Sequence, residues 1–150
     1  MERAMEVFAR VAAAAEREGV TYCLEPLARR ETDFVNTVSE AVEIVDEIDS
    51  SGFRTMIDTS AAGATETAAV ANLINTWLPT GKIAHIQVND RNRRGPGQGD
   101  DQFIPILRAL EENAYQGIVA VEPFDYIPAG PTTAARAIGY LQGCLQGAAS

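Results

Sequence analysis

Four oxygen-bearing side chains recur at near-regular intervals along this chain of 150 residues, each at the end of a short apolar run. They are Glu25, Asp58, Gln87 and Glu122, separated by 33, 29 and 35 residues. Three carboxylates and one amide oxygen form a hard set of donors, which favours Mn²⁺ or Mg²⁺ over metals that thiolates or imidazoles select. Any single one of these residues is more simply explained as a helix cap or a solvated loop residue. Four of them at matching strand ends favour a shared metal site.

The segments that must position these residues alternate between helical and strand patterns. Periodic apolar residues predict helices at 1–18, 39–48, 65–77, 104–112 and 132–145. Short apolar runs predict strands at 20–25, 53–58, 83–88 and 118–122. This alternation predicts parallel strands with helices packed outside them. The tail at 146–150 is expected to fray.

The spacing of the four polar residues also matches one particular kind of parallel sheet. A TIM barrel has eight βα units in roughly 250 residues, or roughly 31 residues per unit, and places catalytic residues at the carboxyl ends of its strands. Because side chains alternate along a strand, Ile83 and His85 are expected to share a face with Gln87. We therefore predict an α/β fold made of parallel βα units of a TIM barrel, about four of its eight strands, with residues 1–150 as one domain.

Composition excludes several classes of function. Lys and Arg number 12 against 21 Asp and Glu, so the net charge is -9 and the surface repels nucleic-acid phosphates. A single histidine excludes most multi-zinc hydrolase sites, including those of zinc-dependent endonucleases. The two cysteines, Cys23 and Cys144, form no CxxC pair, and no apolar run is long enough to span a membrane. We expect a cytoplasmic protein with no nucleic-acid or membrane partner.

Four segments, in order along the chain, resemble one known family. They are LEPLARRETDFVNT (24–37), MIDTS (56–60), HIQVNDRNRRGPGQGD (85–100) and YQGIVAVEPFDY (115–126). They resemble the xylose isomerase-like TIM-barrel sugar isomerases and epimerases, and most closely the ketose 3-epimerases and hydroxypyruvate isomerases. The resemblance covers nearly the whole chain and corresponds to the second half of the family's chains, which are about twice this length.

The resemblance implies a divalent-metal-dependent isomerase or epimerase of small sugars or hydroxy-carbonyl compounds. By it, Glu25, Asp58, Gln87 and Glu122 fall on the four metal-ligand positions, with glutamine at the third as in the hydroxypyruvate isomerase-like members. Glu25 and Glu122 fall on the acid–base pair. Such a metal stabilises an enediolate, while the two carboxylates remove and return the proton.

Further positions correspond to substrate contacts in the family. Glu31 and Arg93 fall on a substrate-contacting glutamate and arginine, and His85 is either a substrate-facing residue or one that lines the barrel. The epimerases have histidine where this chain has Ala61, so one substrate contact is missing. The loop arginines Arg91, Arg93 and Arg94 could alternatively bind a substrate phosphate, although a loop in which Arg93 alone positions the substrate is favoured.

Half a barrel leaves strand edges open, so we expect a homodimer or a larger assembly, or else a fragment of a full barrel. A different class of function stays open beside the enzyme: a truncated barrel that binds metal or a partner without turnover. The alternatives differ in whether a second copy or another segment supplies the remaining strands.

Overall fold

The structure is a computed structural model that describes residues 1–148. Within that range, four strands alternate with helices. The strands are β1 (Tyr22–Leu24), β2 (Phe53–Asp58), β3 (Ile83–Val88) and β4 (Val119–Val121). The helices are α1 (Glu2–Glu18), α2 (Val38–Ile48), α3 (Thr59–Thr65), α4 (Val70–Trp77), α5 (Phe103–Glu112) and α6 (Gly130–Ala148), with a 3₁₀ turn at Leu78–Thr80.

The four strands form one parallel sheet in the order β1-β2-β3-β4. Asp58 of β2 lies opposite Gln87 of β3, which lies opposite Ala120 of β4. The predicted α/β fold with four parallel strands is therefore confirmed. Because all strands run the same way, their carboxyl ends meet at one edge of the sheet, where the residues predicted to carry chemistry lie.

Helices cover one face of the sheet and leave the other half-exposed. Phe53, Ile57 and Ile86 are fully buried between the sheet and its helices. Burying each such side chain contributes about 1.5–3 kcal/mol, so the covered face holds the strand positions firmly. The opposite face carries Arg54 and His85, which stay partly exposed. This is the face that would line a closed barrel.

Local signals fix where the first helices begin and end. Gly19 adopts φ 65°, and its N–H donates to the last carbonyls of α1. At the start of α2, the Thr37 hydroxyl accepts a hydrogen bond from the Glu40 N–H, and the Glu40 carboxylate accepts one from the Thr37 N–H. This reciprocal capping box is a common helix start, and it places the loop after β1 above the sheet edge.

The helix predicted at 65–77 is wrong in its boundaries. Residues 59–65 form the separate helix α3, and α4 begins only at Val70. The cause is Asp58, whose carboxylate accepts a hydrogen bond from the Ala61 N–H and starts a helix directly after β2. Glu66 is extended and ends α3. Small residues fill α3, so it has no apolar periodicity to reveal it.

Three smaller predictions also need correction. Strands β1 and β4 are shorter than the predicted 20–25 and 118–122. Ile83 does not share a face with His85, because the β2–β3 register shifts beside it and buries Ile83 in the helical core. The tail is helical as far as Ala148, and the rest of the predicted frayed tail, 149–150, lies outside the described residues. None of the helices in the described range is long and apolar enough to cross a membrane.

Candidate functional site

Three carboxylates converge at the carboxyl edge of the sheet. Glu25 follows β1, Asp58 ends β2 and Glu122 follows β4, and one oxygen from each lies within 4.8 Å of the others. Asp58 is buried, and the other two are partly buried. Residues that are far apart in the sequence therefore form one cluster, because each lies at the same level of its own βα unit.

Gln87 lies on β3, between the strands that carry Asp58 and Glu122. It pairs with Asp58 in the sheet register. Its Oε1 atom is buried and has no hydrogen-bond partner. A buried oxygen without a partner costs about 1–3 kcal/mol, and a coordinated cation would satisfy it. An unpaired amide oxygen beside three carboxylates is a donor set that fits a hard divalent cation.

The electrostatics of the cluster lead to the same inference. Burial first of all, and then repulsion from Asp58, Glu122 and Glu31, raises the pKa of Glu25 from 4.5 to about 7. Burial is also the main cause that raises the pKa of Asp58 from 3.8 to about 6, although nearby N–H donors act in the opposite direction. A divalent cation offsets this repulsion and stabilises the charged carboxylates.

Asp58 is fixed by hydrogen bonds to both of its carboxylate oxygens. Oδ1 accepts from the Ala61 N–H at 2.7 Å, and Oδ2 accepts from Asn89 Nδ2 at 2.6 Å. The helix-cap explanation is therefore also true of this residue. Each carboxylate oxygen has two acceptor positions, so a capping bond leaves a position for a cation.

Two predicted substrate contacts lie on the upper side of the cluster. The Arg93 guanidinium is 3.7 Å from the Glu31 carboxylate and 4.3 Å from the centre of the Phe124 ring. Arg93 itself adopts φ 68°, and its carbonyl accepts hydrogen bonds from the N–H groups of Phe124 and Asp125. Three loops are thus joined above the carboxylates. A small cavity of about 30 Å³ lies between this bridge and the ligand cluster.

The other two arginines of the loop after β3 also face carboxylates. Arg91 Nε lies 2.6 Å from Asp101, and Arg94 Nε lies 3.1 Å from Asp125. Arg93 faces Glu31 as described. A carboxylate therefore lies beside each of the three guanidinium groups, and the choice between a positioning arginine and a phosphate site stays a prediction.

The structure separates the remaining predicted residues by depth. His85 lies opposite Met56 in the register, one layer below Gln87, and its imidazole makes no hydrogen bond within the described residues. Its role stays a prediction. Burial raises the pKa of the Cys23 thiol, which favours an inert side chain over a nucleophile. Ala61 lines the small cavity and contributes only a methyl group to it.

Sequence reasoning missed two residues of this site. Asn89 is fully buried and contacts both Asp58 and the backbone of Glu122. Phe124 stacks on Arg93. Phe124 lies in the VEPF segment and Asn89 in the HIQVND segment. Residue types alone do not reveal that an asparagine is buried or which way its side chain points.

A wider cleft lies elsewhere in the molecule. It measures about 390 Å³ and lies between α3, α4 and the start of α5, lined by the Arg91–Asp101 ion pair. None of the four predicted ligands lines it. The chemistry of the side chains, rather than the size of the opening, identifies the candidate site.

The fold agrees with a family comparison. Residues 1–144 match the family model described as xylose isomerase-like TIM barrel. The chain belongs to this family. D-psicose 3-epimerase from Ruminiclostridium cellulolyticum is 34% identical over 123 residues, which cover 82% of this chain and 41% of that enzyme.

Solved structures extend the comparison. D-psicose 3-epimerase from Clostridium cellulolyticum H10, crystallised with D-tagatose, matches with a TM-score of 0.77 at 28% identity, over 98% of this chain and 54% of that one. 3-Keto-D-glucoside 4-epimerase from E. coli matches with a TM-score of 0.85 at 22% identity, over 93% and 52%, which shows the fold alone. The chain spans about half the length of these proteins, and its four parallel strands are half of a TIM barrel.

Proposed function

We propose that this chain carries the metal site and the acid–base pair of a divalent-metal-dependent isomerase or epimerase that acts on small sugars or hydroxy-carbonyl compounds. The observation that supports it most is the convergence of Glu25, Asp58 and Glu122 beside the unpartnered oxygen of Gln87. Membership of a family whose relatives here are named D-psicose 3-epimerases supports the type of reaction.

The four oxygen donors would hold Mn²⁺ or Mg²⁺. They are Glu25, Asp58, Gln87 and Glu122. When bound, such an ion supplies charge stabilisation to a substrate carbonyl and the adjacent hydroxyl, which acidifies the C–H bond between them. The chain contributes a rigid set of hard ligands at the edge of a sheet whose other face is packed against helices.

Glu25 and Glu122 are the proposed acid and base. They follow β1 and β4, the two outer strands of the sheet, so their carboxylates reach the cluster from opposite sides. A proton removed by one carboxylate on one side of the substrate carbon can be returned by the other on the opposite side. That exchange of faces is what an epimerisation needs, and return to the neighbouring carbon gives an isomerisation.

Substrate positioning is proposed for Glu31, Arg93 and, at a deeper level, His85. The pocket beneath Arg93 is small, about 30 Å³, and the four-stranded sheet leaves the cluster open on one side. The substrate would therefore occupy the open side of the cluster, where a closed barrel has its other strands. We propose that a second copy, as a homodimer or larger assembly, or another chain segment closes that side. The cytoplasmic location stays a prediction.

The test is exchange of substrate protons with deuterium from solvent, followed by NMR over a panel of small ketoses and hydroxypyruvate with Mn²⁺ present. We expect exchange at the carbon next to the carbonyl. Glu122→Gln keeps an oxygen donor but removes the base, so exchange should fall by about 10²–10⁴ while Mn²⁺ still binds. Glu111→Gln, on the exposed surface of α5, is the matched control and should exchange normally. Equal exchange in Glu122→Gln and the unmutated chain contradicts the assigned base.

The second candidate is a barrel fragment that binds metal or associates with a partner without turnover. The span of about half the relatives' length favours it specifically. Asp58→Ala, measured by calorimetry, tests the metal site alone and should abolish Mn²⁺ binding. Binding without any proton exchange across the panel would support this candidate and contradict the enzyme.

A further inference from the structure

Asn89 lies directly beyond β3 and is locked to the neighbouring strand. Its side chain and backbone are fully buried. Its N–H donates to Thr59 Oγ1 at 2.9 Å, and its carbonyl accepts from the same hydroxyl at 2.7 Å. These reciprocal bonds continue the contact between β2 and β3 past the end of the regular ladder, so the Asn89 backbone has little freedom.

From this fixed backbone the side-chain amide reaches in both directions along the sheet edge. Nδ2 donates to Asp58 Oδ2 at 2.6 Å on the β2 side. Oδ1 accepts from the Glu122 N–H at 3.0 Å on the β4 side. One amide therefore joins two of the proposed metal ligands, which are 64 residues apart in sequence.

The bond to Glu122 acts where the fold itself gives little support. Among the described residues, strand β4 has only three residues and pairs with β3 alone, so no strand lies on the outer side of Glu122 just beyond it. The bond to Asn89 ties the Glu122 backbone to the sheet. On the other side, Asp58 Oδ1 is already held by α3, and the Asn89 bond to Oδ2 fixes the rotation of the carboxylate.

We propose that Asn89 is a positioning residue that sets the separation between the Asp58 carboxylate and Glu122 for metal binding. The proposal rests on the proposed function and deepens it. Hydrogen-bonding partners behind metal ligands typically change metal affinity or activity by about 10–100-fold when they are removed. A purely structural asparagine would instead change stability and leave the affinity of the folded chain unaltered.

Thr55→Val provides the matched control for Asn89→Ala. Thr55 is also fully buried, and its hydroxyl donates to the Leu24 carbonyl at 2.7 Å, between β1 and β2. This hydroxyl makes no hydrogen bond to the side chain of any of the four ligands, so its loss weakens the sheet while the Asn89 bonds to Asp58 and Glu122 remain. Asn89→Ser, whose side chain is too short to reach both partners, replaces Asn89→Ala if that variant does not fold.

Two measurements test the proposal on the full chain. Calorimetry with Mn²⁺ at about pH 8 should give an affinity 10–100-fold weaker for Asn89→Ala and within about threefold of the unmutated chain for Thr55→Val. Without metal, hydrogen exchange followed by NMR should show the Glu122 amide exchanging at least about tenfold faster in Asn89→Ala and at an unchanged rate in Thr55→Val.

The outcomes separate this proposal from the proposed function. An unprotected Glu122 amide in the unmutated chain, or an unchanged exchange rate in Asn89→Ala, overturns the proposal. Equal loss of Mn²⁺ affinity in both variants, or none in Asn89→Ala, also overturns it. If the unmutated chain binds no Mn²⁺, the proposed function fails, while the exchange measurement still decides whether Asn89 holds Glu122.

Discussion

The stability of the metal-free chain should fall as the pH rises from about 5 to 8. The pKa of Glu25 is raised from 4.5 to about 7 and that of Asp58 from 3.8 to about 6, chiefly by burial. A carboxyl group whose pKa is higher in the folded state binds more protons there than in the unfolded chain. Folding is therefore favoured at low pH, and the free energy of unfolding decreases as each group loses its proton.

The size of this effect follows from the two shifts. One pKa unit corresponds to about 1.4 kcal/mol, so Glu25 alone has an upper limit of about 3 kcal/mol between its unfolded and folded values. Part of Glu25 faces solvent, which screens the charges, and both groups share the same repulsion, so the two effects do not add fully. We expect a total loss of about 2–3 kcal/mol, or roughly 4–12 °C in Tm for a domain of this size.

Urea unfolding at constant ionic strength, at intervals of pH between about 5 and 8, measures this loss. Asp58→Asn removes one charge of the cluster at nearly constant shape and should flatten the profile, whereas Glu111→Gln on the exposed surface of α5 should leave its slope unchanged. Saturating Mn²⁺ should restore stability at the upper end, because it binds the deprotonated carboxylates. A metal-free chain whose stability is constant or rises over this range would refute the reasoning.

Three further predictions concern other parts of the molecule. Gly97 has φ 80°, and a Cβ placed there would lie 2.5 Å from the Tyr140 ring, so Gly97→Ala should lower the free energy of unfolding in urea by about 2–5 kcal/mol. Gly81 has φ 71° and open space around it, so the control Gly81→Ala should lower the free energy of unfolding by only about 1 kcal/mol. Equal losses in the two variants would contradict the contact with Tyr140. Arg93→Lys keeps the positive charge but loses the stacking of the guanidinium on the Phe124 ring, so KM in a turnover assay should rise about two- to fivefold while the Mn²⁺ affinity stays unchanged. An unchanged KM would argue against a role of Arg93 in substrate positioning. Sedimentation at micromolar concentration should show a dimer or larger species, and Ile118→Lys, at a residue 71% exposed beside β4, should shift it toward monomer; a stable monomeric unmutated chain would contradict self-association.

The sequence was informative wherever a periodic pattern coincided with burial. Strands β2 and β3 were predicted with the boundaries that the structure has, because turn residues precede each of them and apolar side chains occupy at least half of each six-residue run. Helix α3 was missed because its small residues carry no period, and its start depends on the side chain of Asp58. The buried position of Ile83 depends on a register shift, which is a property of two strands together and leaves no mark in either alone.

The candidate site divides in the same way. Glu25, Asp58, Gln87 and Glu122 could be proposed from residue type and interval, because equal levels of successive βα units bring such residues together. The contacts of Asn89 could not be predicted, since they join residues 31 and 33 positions away through one particular side-chain rotamer. An asparagine after a strand is more often part of a turn, so the residue type does not indicate that the side chain is buried and hydrogen-bonded to two neighbouring strand ends.

The strand order affects how this site comes into being during synthesis. Each strand pairs with the one that precedes it in the chain, so every new ladder closes a loop of about one βα unit and none requires a strand from further along the chain. Domains emerge from the ribosome amino terminus first, so the β1–β3 sheet can form while residues 118–122 are still being made. The donor set is then completed by its last member, Glu122, and a nascent chain acquires its full complement of ligands only after β4 has joined the sheet.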